Sequence, residues 1–375
     1  MASQPGRRAP LVLRMCDSAR RVRTLTRKEL TAALAERQLL RERVRLDPVQ
    51  AIRVLTPLQA QDPPAPYVAL AARLEGFERA RLEAAIDAGA IVKTTIMRRT
   101  LHLVAAADYP AYHRLSTAAG MRGWRRQFAH LDEEKVVREL GRWLGQPRTN
   151  AEIRAHLRAR FDGIEADWRP IWFARNVLPL VQLPPAGHWN DRRRPSFVVD
   201  PRPLPSEDEA ATHVLERYLR AFGPASRNDV KSWSGAAQRD FSAAIERLDT
   251  VTYRDEKDVE LFDLPGAPLP PPGVKLPPRF LSRWDQPLLA YDDRDRIVPP
   301  ELLPLKLTHS GDQAITVDGR VAASWKLERS SKTTRVRVIP HTNIPRRAHA
   351  GIRAEGKRTA RFCEPEVERV EIAGL

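Results

Sequence analysis

Apolar residues recur at helical spacing through residues 25–264 and at strand spacing after residue 279. Thr26-Arg27-Lys28-Glu29 has the form of a capping box, which predicts a helix that begins there. Asp47-Pro48 predicts a second helix start, because aspartate caps well and proline is preorganised for the first helical position. The pattern therefore predicts a helical first part and a β-rich last part.

One short pattern, Pro-x-(Thr/Ser)-x-x-(Glu/Asp)-(Ile/Val), occurs at Pro147 and again at Pro224. Each copy predicts the capped second helix of a helix-turn-helix, and Thr26 begins a looser third copy. Alternating residues predict β-hairpin wings within 91–104, 177–199 and 251–262. The alternative is that capping boxes recur in any helical protein. The flanking proline and the following aliphatic residue favour three tandem winged-helix units.

The proline-rich residues 265–278 predict a linker before a small antiparallel β-barrel. Asp318-Gly319 predicts a hairpin turn between two of the barrel strands, and 288–291 and 297–298 are predicted as further strands. We expect a mainly α fold with β (α+β). Its predicted segments are a basic flexible arm (1–24), winged helix 1 (25–120), winged helix 2 (121–203), winged helix 3 (204–264), the barrel (279–340) and a basic C-terminal segment (341–375).

The net charge of the chain is the compositional feature that bears most on its function. Lys and Arg number 63 against 47 Asp and Glu, a formal net charge of +16 over 375 residues. So basic a chain is expected to bind a polyanion, and nucleic acid is the first candidate. The alternative is a surface made basic by an arginine-rich proteome.

Other features exclude several classes of protein. No apolar run approaches the roughly 20 residues of a membrane span. Cys16 and Cys363 are expected to be free thiols in a reducing, cytoplasmic compartment. The nine histidines lack metal-site spacing and are interpreted as surface residues, so we expect no metal and no other cofactor. No protein partner is predicted, and we expect a monomer.

The stretch Leu58-Gln59-Ala60-Gln61-Asp62-Pro63-Pro64 carries the candidate chemistry. If it is extended, Gln59 and Gln61 present two amides on the same side. Paired amides can orient a water molecule but are poor proton acceptors, which suits a reaction with a good leaving group. The alternative is that both amides satisfy backbone groups of the turn after the preceding helix.

Several motifs together resemble those of the AlkZ/YcaQ-like winged-helix DNA glycosylases. They occur in the family's order between about residues 25 and 340. They are Leu58 to Pro63, Met97-Arg98-Arg99-Thr100-Leu101-His102-Leu103-Val104, Arg279-Phe280-Leu281-Ser282-Arg283-Trp284-Asp285, Tyr291 to Arg296, and Val317 to Trp325. Trp284-Asp285-Gln286-Pro287 departs from the Asp-Asn-Leu-type run usual in the family, which bears on the choice of lesion.

The resemblance implies three winged helices and a barrel around a concave surface that binds double-stranded DNA. It implies that Gln59 and Gln61 are catalytic in excising alkylated bases, including the unhooking of interstrand crosslinks. Asp62 is an alternative electrostatic stabiliser. The candidate DNA-binding residues are Arg98, Arg99, Arg192, Arg193, Arg194, Arg283, Trp284, Arg294, Arg296 and His102. For His102, packing in the core remains the alternative.

Two functions from different classes remain. One is a monofunctional DNA glycosylase acting on N7- or N3-alkylated purines in base excision repair or genotoxin resistance, associated with the nucleoid. The other is a non-enzymatic winged-helix regulator that only binds DNA. The glutamine pair favours the glycosylase.

Overall fold

The computed structural model describes residues 22–127, 133–160, 177–305, 311–329 and 333–375, with side chains left undescribed at 119–127 and 133. Residues 1–21, which include most of the predicted basic arm and Cys16, lie outside the described residues. The helices are α1 Arg27–Arg37, α2 Pro48–Leu55, α3 Ala65–Ala71, α4 Arg79–Asp87, α5 Tyr109–Gln127, α6 Glu133–Trp143, α7 Asn150–Arg160, α8 Glu207–Phe222, α9 Arg227–Ser234, α10 Ser242–Arg247 and α11 Arg346–Cys363. In the described part of the chain, none of them is both long enough and apolar enough to cross a membrane.

The strands form three sheets. They are β1 Thr24–Leu25, β2 Leu58–Gln59, β3 Ile91–Ile96, β4 Thr100–Ala105, β5 Arg148–Thr149, β6 Leu180–Gln182, β7 Ser196–Val199, β8 Val251–Asp255, β9 Glu260–Asp263, β10 Arg279–Phe280, β11 Gln313–Val317, β12 Arg320–Arg329, β13 Thr333–Pro340 and β14 Arg369–Ala373. The sheet orders are β1-β8-β9, β2-β4-β3-β6-β7-β5 and β10-β11-β12-β13-β14. The fold is thus a mixture of helices and strands.

The predicted helix starts form as capping boxes. The Thr26 hydroxyl accepts from the Glu29 N–H at 3.3 Å, and Ser226 caps α9 in the same way with Asp229. Thr149 accepts from the Glu152 N–H, and the Glu152 carboxylate accepts from the Thr149 N–H. Each box satisfies amide groups that a helix start leaves unpaired.

The first two predicted units share one sheet. Lys93 of β3 pairs with Gln182 of β6, and Thr94 pairs with Val181, so the two hairpins are hydrogen-bonded edge to edge. The predicted boundary at residue 120 falls inside α5. The third predicted wing, β8 and β9, lies in a separate sheet, where β8 also pairs in parallel with Thr24–Leu25. Thr24, predicted in the flexible arm, is therefore part of a strand.

The C-terminal sheet differs from the antiparallel barrel predicted for 279–340. Its last strand, β14, comes from beyond residue 340 and pairs in parallel with β13. The predicted strands at 288–291 and 297–298 are wrong, because the chain there forms 3-10 turns at Gln286–Leu288 and Arg294–Arg296. Asp318 and Gly319, with φ of 49° and 80°, form the predicted turn between β11 and β12.

Two fully buried ion pairs connect distant segments. Arg73 donates to both carboxylate oxygens of Asp285, at 3.1 and 2.7 Å, and to the backbone carbonyls of Gln38 and Ala69. Arg37 donates to both oxygens of Asp263, at 2.8 and 2.7 Å. The first pair fixes the segment after β10 against α3, and the second fixes α1 against β9.

We predict that replacing Arg73 with methionine lowers the free energy of unfolding by about 3–5 kcal/mol, because Asp285 is left charged and buried without its partner. Urea denaturation followed by circular dichroism measures this change. The matched control is Arg45→Met, since Arg45 and its partner Glu75 have side chains that are 82% and 55% exposed. We expect no measurable change there. An Arg73→Met protein as stable as the wild type would contradict the assigned role.

Candidate active site

The glutamine pair lies at the edge of the six-stranded sheet. Helix α2 ends at Leu55, two residues before Pro57, and Leu58 and Gln59 then pair with Leu103 and His102 on β4. The Ala60 N–H donates to the Leu101 carbonyl at 2.8 Å and prolongs this pairing by one residue. The proline cannot continue the helix, and the edge of β4 pairs with the segment that follows it.

The two amides bond to each other, although only Gln59 is in the strand and Gln61 lies in the bend that follows. Gln59 Nε2 donates to Gln61 Oε1 at 2.8 Å. Gln59 is 7% exposed, whereas Gln61 is exposed. This bond leaves Gln59 with a carbonyl oxygen that accepts and Gln61 with an amide nitrogen that donates. A water molecule can be held by that combination of one acceptor and one donor.

Asp62 lies next to the pair and meets a predicted DNA-binding residue. Arg283 Nε is 3.7 Å from Asp62 Oδ2, and their side chains are 46% and 36% exposed. Trp284, which follows Arg283, has a φ of 50°, and a Cβ on Gly311 would come within 2.8 Å of its ring. Glycine at 311 thus permits the tryptophan to lie against the backbone. The contact between Arg283 and Asp62 thus brings residues 283–284 next to the glutamine motif, although the two segments are distant in sequence.

Three of the predicted DNA-binding side chains are turned into the protein. Arg296 is 7% exposed, donates to the Pro224 carbonyl at 2.8 Å and lies 3.9 Å above the Tyr291 ring. His102 is fully buried. The prediction that these two bind DNA is wrong, because neither reaches the surface. The interpretation of histidines as surface residues fails at His102 and also at His113, which is 2% exposed.

Arg98 is the third of these side chains. It lies at the tip of the β3–β4 hairpin with a φ of 53°, and its Nη1 donates to the Trp233 carbonyl in α9. The close contact depends on Gly235, with a φ of 75°, since a Cβ there would lie 3.3 Å from the Arg98 backbone nitrogen. Burial, with the nearby charge of Arg294, lowers the pKa of the Arg98 guanidinium to about 10. Arg98 therefore fixes the hairpin tip to α9, and its role as a DNA contact stays a prediction.

The remaining candidates lie at or near the surface. Arg99, Arg192, Arg193 and Arg194 are exposed, and Arg193 Nε bonds to Asp191 at 2.7 Å. Arg294 is half-buried. Arg192 lines an open cavity of about 580 Å³ together with Pro64 of the glutamine motif and Arg329. The second predicted wing is thus adjacent to the glutamine motif.

Sequence reasoning missed the surroundings of Gln59. It did not place His102 directly opposite Gln59, and it did not single out Arg329 beside Pro64. The alternating residues predicted β4 as a strand, but nothing in the local pattern identifies the two-residue strand β2 that pairs with it. Within the residues that the structure describes, no group of three or more His, Cys, Asp or Glu side chains is placed to hold a metal ion. Cys363 is a free thiol, as predicted, and it is buried.

Comparison with known proteins relates the chain to DNA glycosylases. A family model described as DNA glycosylase AlkZ-like matches residues 52–362, a range that contains the glutamine pair. A curated relative, the interstrand DNA cross-link repair glycosylase of Streptomyces sahachiroi, is 25% identical over 339 residues, which cover 80% of this chain and 87% of the relative.

A solved structure, the Streptomyces sahachiroi DNA glycosylase AlkZ, superimposes with a TM-score of 0.76 at 20% identity. The match covers 93% of this chain and 100% of that chain, and it shows a shared fold. Because the family model matches residues 52–362, which are most of this chain, the chain belongs to the AlkZ-like DNA glycosylase family and is an enzyme of that class.

Proposed function

We propose that this enzyme hydrolyses the N-glycosidic bond of purines alkylated at N7 or N3, and that Gln59 and Gln61 position the attacking water. The observation that carries the proposal is the bonded amide pair, with Gln61 exposed, at a sheet edge of a strongly basic DNA glycosylase. Three winged-helix units and a small β-barrel remain part of this proposal as the frame for the DNA.

The chemistry suits neutral amides. Alkylation at N7 or N3 places a positive charge on the purine, so the base leaves with the bonding electron pair as a neutral molecule. The oxygen of the water adds to C1′, and the water's proton passes to solvent. Because the leaving group is already activated, the main contribution of the protein is orientation and charge stabilisation.

Asp62 is an alternative source of charge stabilisation for the oxocarbenium-like state. Its carboxylate is adjacent in sequence to Gln61, but Arg283 Nε stands 3.7 Å from it and offsets part of its charge. We therefore assign the larger role to the amides and a supporting one to Asp62.

The reaction is expected to stop at hydrolysis. A lyase step needs a lysine amine within reach of C1′. Lys93 pairs with Leu103 on β4, one residue from His102, so its side chain lies on the face of the sheet opposite to Gln59. It is also 8% exposed. This arrangement supports a monofunctional glycosylase.

The DNA would be held by cationic side chains around the glutamine motif. Arg283 meets Asp62, and Arg192 shares a cavity with Pro64. We assign phosphate contacts to Arg283, to the exposed arginines 99 and 192–194, and to Arg294, with Trp284 beside them. Such contacts orient the duplex without reading its sequence.

The class of lesion extends, in this proposal, to bulky adducts and interstrand crosslinks. The curated relative from Streptomyces sahachiroi is named for crosslink repair. Gln61 is exposed on this chain, so a large leaving base need not enter an enclosed pocket to reach it. Complete flipping of the base is therefore not required.

We predict that Gln59→Ala and Gln61→Ala each lower the rate of base release about a hundredfold, while duplex affinity stays unchanged. Alkaline cleavage of abasic product under single-turnover conditions, on a duplex with one N7-methylguanine, measures the rate. Gln50→Ala is the control, since Gln50 is exposed on the neighbouring helix α2. Undiminished release by both variants would reject the catalytic assignment, and wild-type binding without release would favour the regulator.

Duplex affinity is expected to fall steeply with salt, because phosphate binding releases counterions. Arg99→Gln and Arg192→Gln should each reduce the slope of log Kd against log salt by about one. Arg220→Gln provides the control, since Arg220 bonds to Glu216 on the exposed face of α8. Fluorescence anisotropy over a salt series tests this, and a salt-independent affinity would be incompatible with the proposed surface.

A further inference from the structure

The backbone turn that precedes the glutamine pair is strained. Thr56 has a φ of 70°, a conformation that β-branched residues rarely adopt. Its hydroxyl is buried and has no hydrogen-bond partner among the described residues. Pro57, the next residue, has no N–H to donate. A turn of this kind persists only where contacts from the rest of the fold hold it.

A buried glutamine from far along the chain supplies such a contact. Gln286 is 1% exposed, and its Nε2 donates to the Pro57 carbonyl at 2.5 Å. Pro57 directly precedes Leu58 and Gln59, the two residues that pair with β4. The bond from Gln286 therefore fixes the backbone at the start of the strand that carries Gln59.

The orientation of the Gln286 amide is determined by its second partner. Trp233 Nε1 in α9 donates to Gln286 Oε1 at 3.2 Å. An indole N–H only donates, and the Pro57 carbonyl only accepts. Rotation of the amide by half a turn would set donor against donor and acceptor against acceptor. One orientation therefore satisfies both partners, and in it the amide nitrogen faces Pro57.

The backbone that carries this amide is also held in place. Asp285, the residue before it, forms the buried ion pair with Arg73. Pro287, the residue after it, has a restricted φ. The Leu288 N–H donates to the Asp285 carbonyl at 2.9 Å and closes the turn around Gln286. Because both of its neighbours are constrained, Gln286 provides a fixed support for the Pro57 carbonyl.

We propose, on the basis of the proposed function, that Gln286 is a positioning residue of the active site. By holding the Pro57 carbonyl, it keeps Gln59 where its amide bonds to Gln61 and orients the attacking water. Gln286 is buried and acts only through this backbone contact. Loss of the contact would let the strained turn at Thr56 relax and the strand β2 shift. The rate of base release would then fall, while the affinity for the duplex would not.

A matched pair of variants separates this role from general stability. Gln38 is also a buried glutamine, 0% exposed, and its Nε2 donates to the Ala221 carbonyl at 3.1 Å, between α1 and α8. Gln38→Met and Gln286→Met should both lower the midpoint of thermal unfolding, because each leaves a buried carbonyl without its donor. On a duplex with one N7-methylguanine, well below both midpoints and at saturating protein, we expect Gln286→Met to lower the single-turnover rate about tenfold. Gln38→Met should stay within about twofold of wild type, and duplex affinity should be unchanged in both.

Gln286→Asn provides a second variant that keeps an amide in the site. Its side chain is one methylene shorter, which draws the amide back from Trp233 and Pro57, and we expect a similar loss of rate. Equal rates in the Gln286 and Gln38 variants would overturn the inference. So would a wild-type rate in Gln286→Asn, or a loss of duplex affinity that accounts for the lower rate.

A double-mutant cycle tests whether Gln286 acts through Gln59. In a Gln59→Ala background, Gln286→Met should cause no further loss of rate, since the amide that it positions is absent. A further tenfold loss would show an effect independent of Gln59 and would overturn the positioning role. Undiminished release by Gln59→Ala alone would instead overturn the proposed function, and this inference with it.

Discussion

The pairing of a two-residue strand with the edge of the β3–β4 hairpin is the constraint on which the candidate site depends. Leu58 and Gln59 pair with Leu103 and His102, and Ala60 extends the ladder with one more hydrogen bond. Without this pairing the segment after α2 would be an ordinary turn, and its amides would satisfy local backbone groups. With it, Gln59 is held in a short strand, and its amide bonds to that of Gln61, which lies in the bend that follows. The backbone ladder thus places the two amides within hydrogen-bond distance of each other.

The hairpin that holds this strand is itself fixed by buried polar contacts. Arg98 ties its tip to α9 through the Trp233 carbonyl. On the other side of the motif, Gln286 donates to the Pro57 carbonyl, and the Arg73–Asp285 pair fixes the same segment that carries Arg283 and Trp284. Each of these contacts joins residues that are far apart in sequence. They allow the arginine-bearing segment and the glutamine motif to meet at Asp62.

Local signals in the sequence predicted local structure well. Thr26 with Glu29 and Ser226 with Asp229 form the predicted caps, and Asp318-Gly319 forms the predicted turn, because each depends on residues within one turn of chain. The signals failed where burial comes from distant partners. The apolar residues at 288–291 and 297–298 suggested strands, but they are buried around 3-10 turns. Arginines suggested phosphate contacts, yet Arg296 packs on Tyr291 and Arg98 on α9. A charged residue type does not reveal whether a carbonyl elsewhere in the fold will accept its hydrogen bonds.

The central claim, that the glutamine pair holds a water against C1′, is tested most directly by a crystal structure with a transition-state mimic. A duplex carrying a cationic azaribose in place of the target nucleotide reproduces the charge of the oxocarbenium-like state. We expect a water within hydrogen-bond distance, about 3 Å, of both Gln59 Oε1 and Gln61 Nε2 and adjacent to the atom that replaces C1′. An azaribose bound away from these amides, with another side chain or water against its charged ring, would contradict the account.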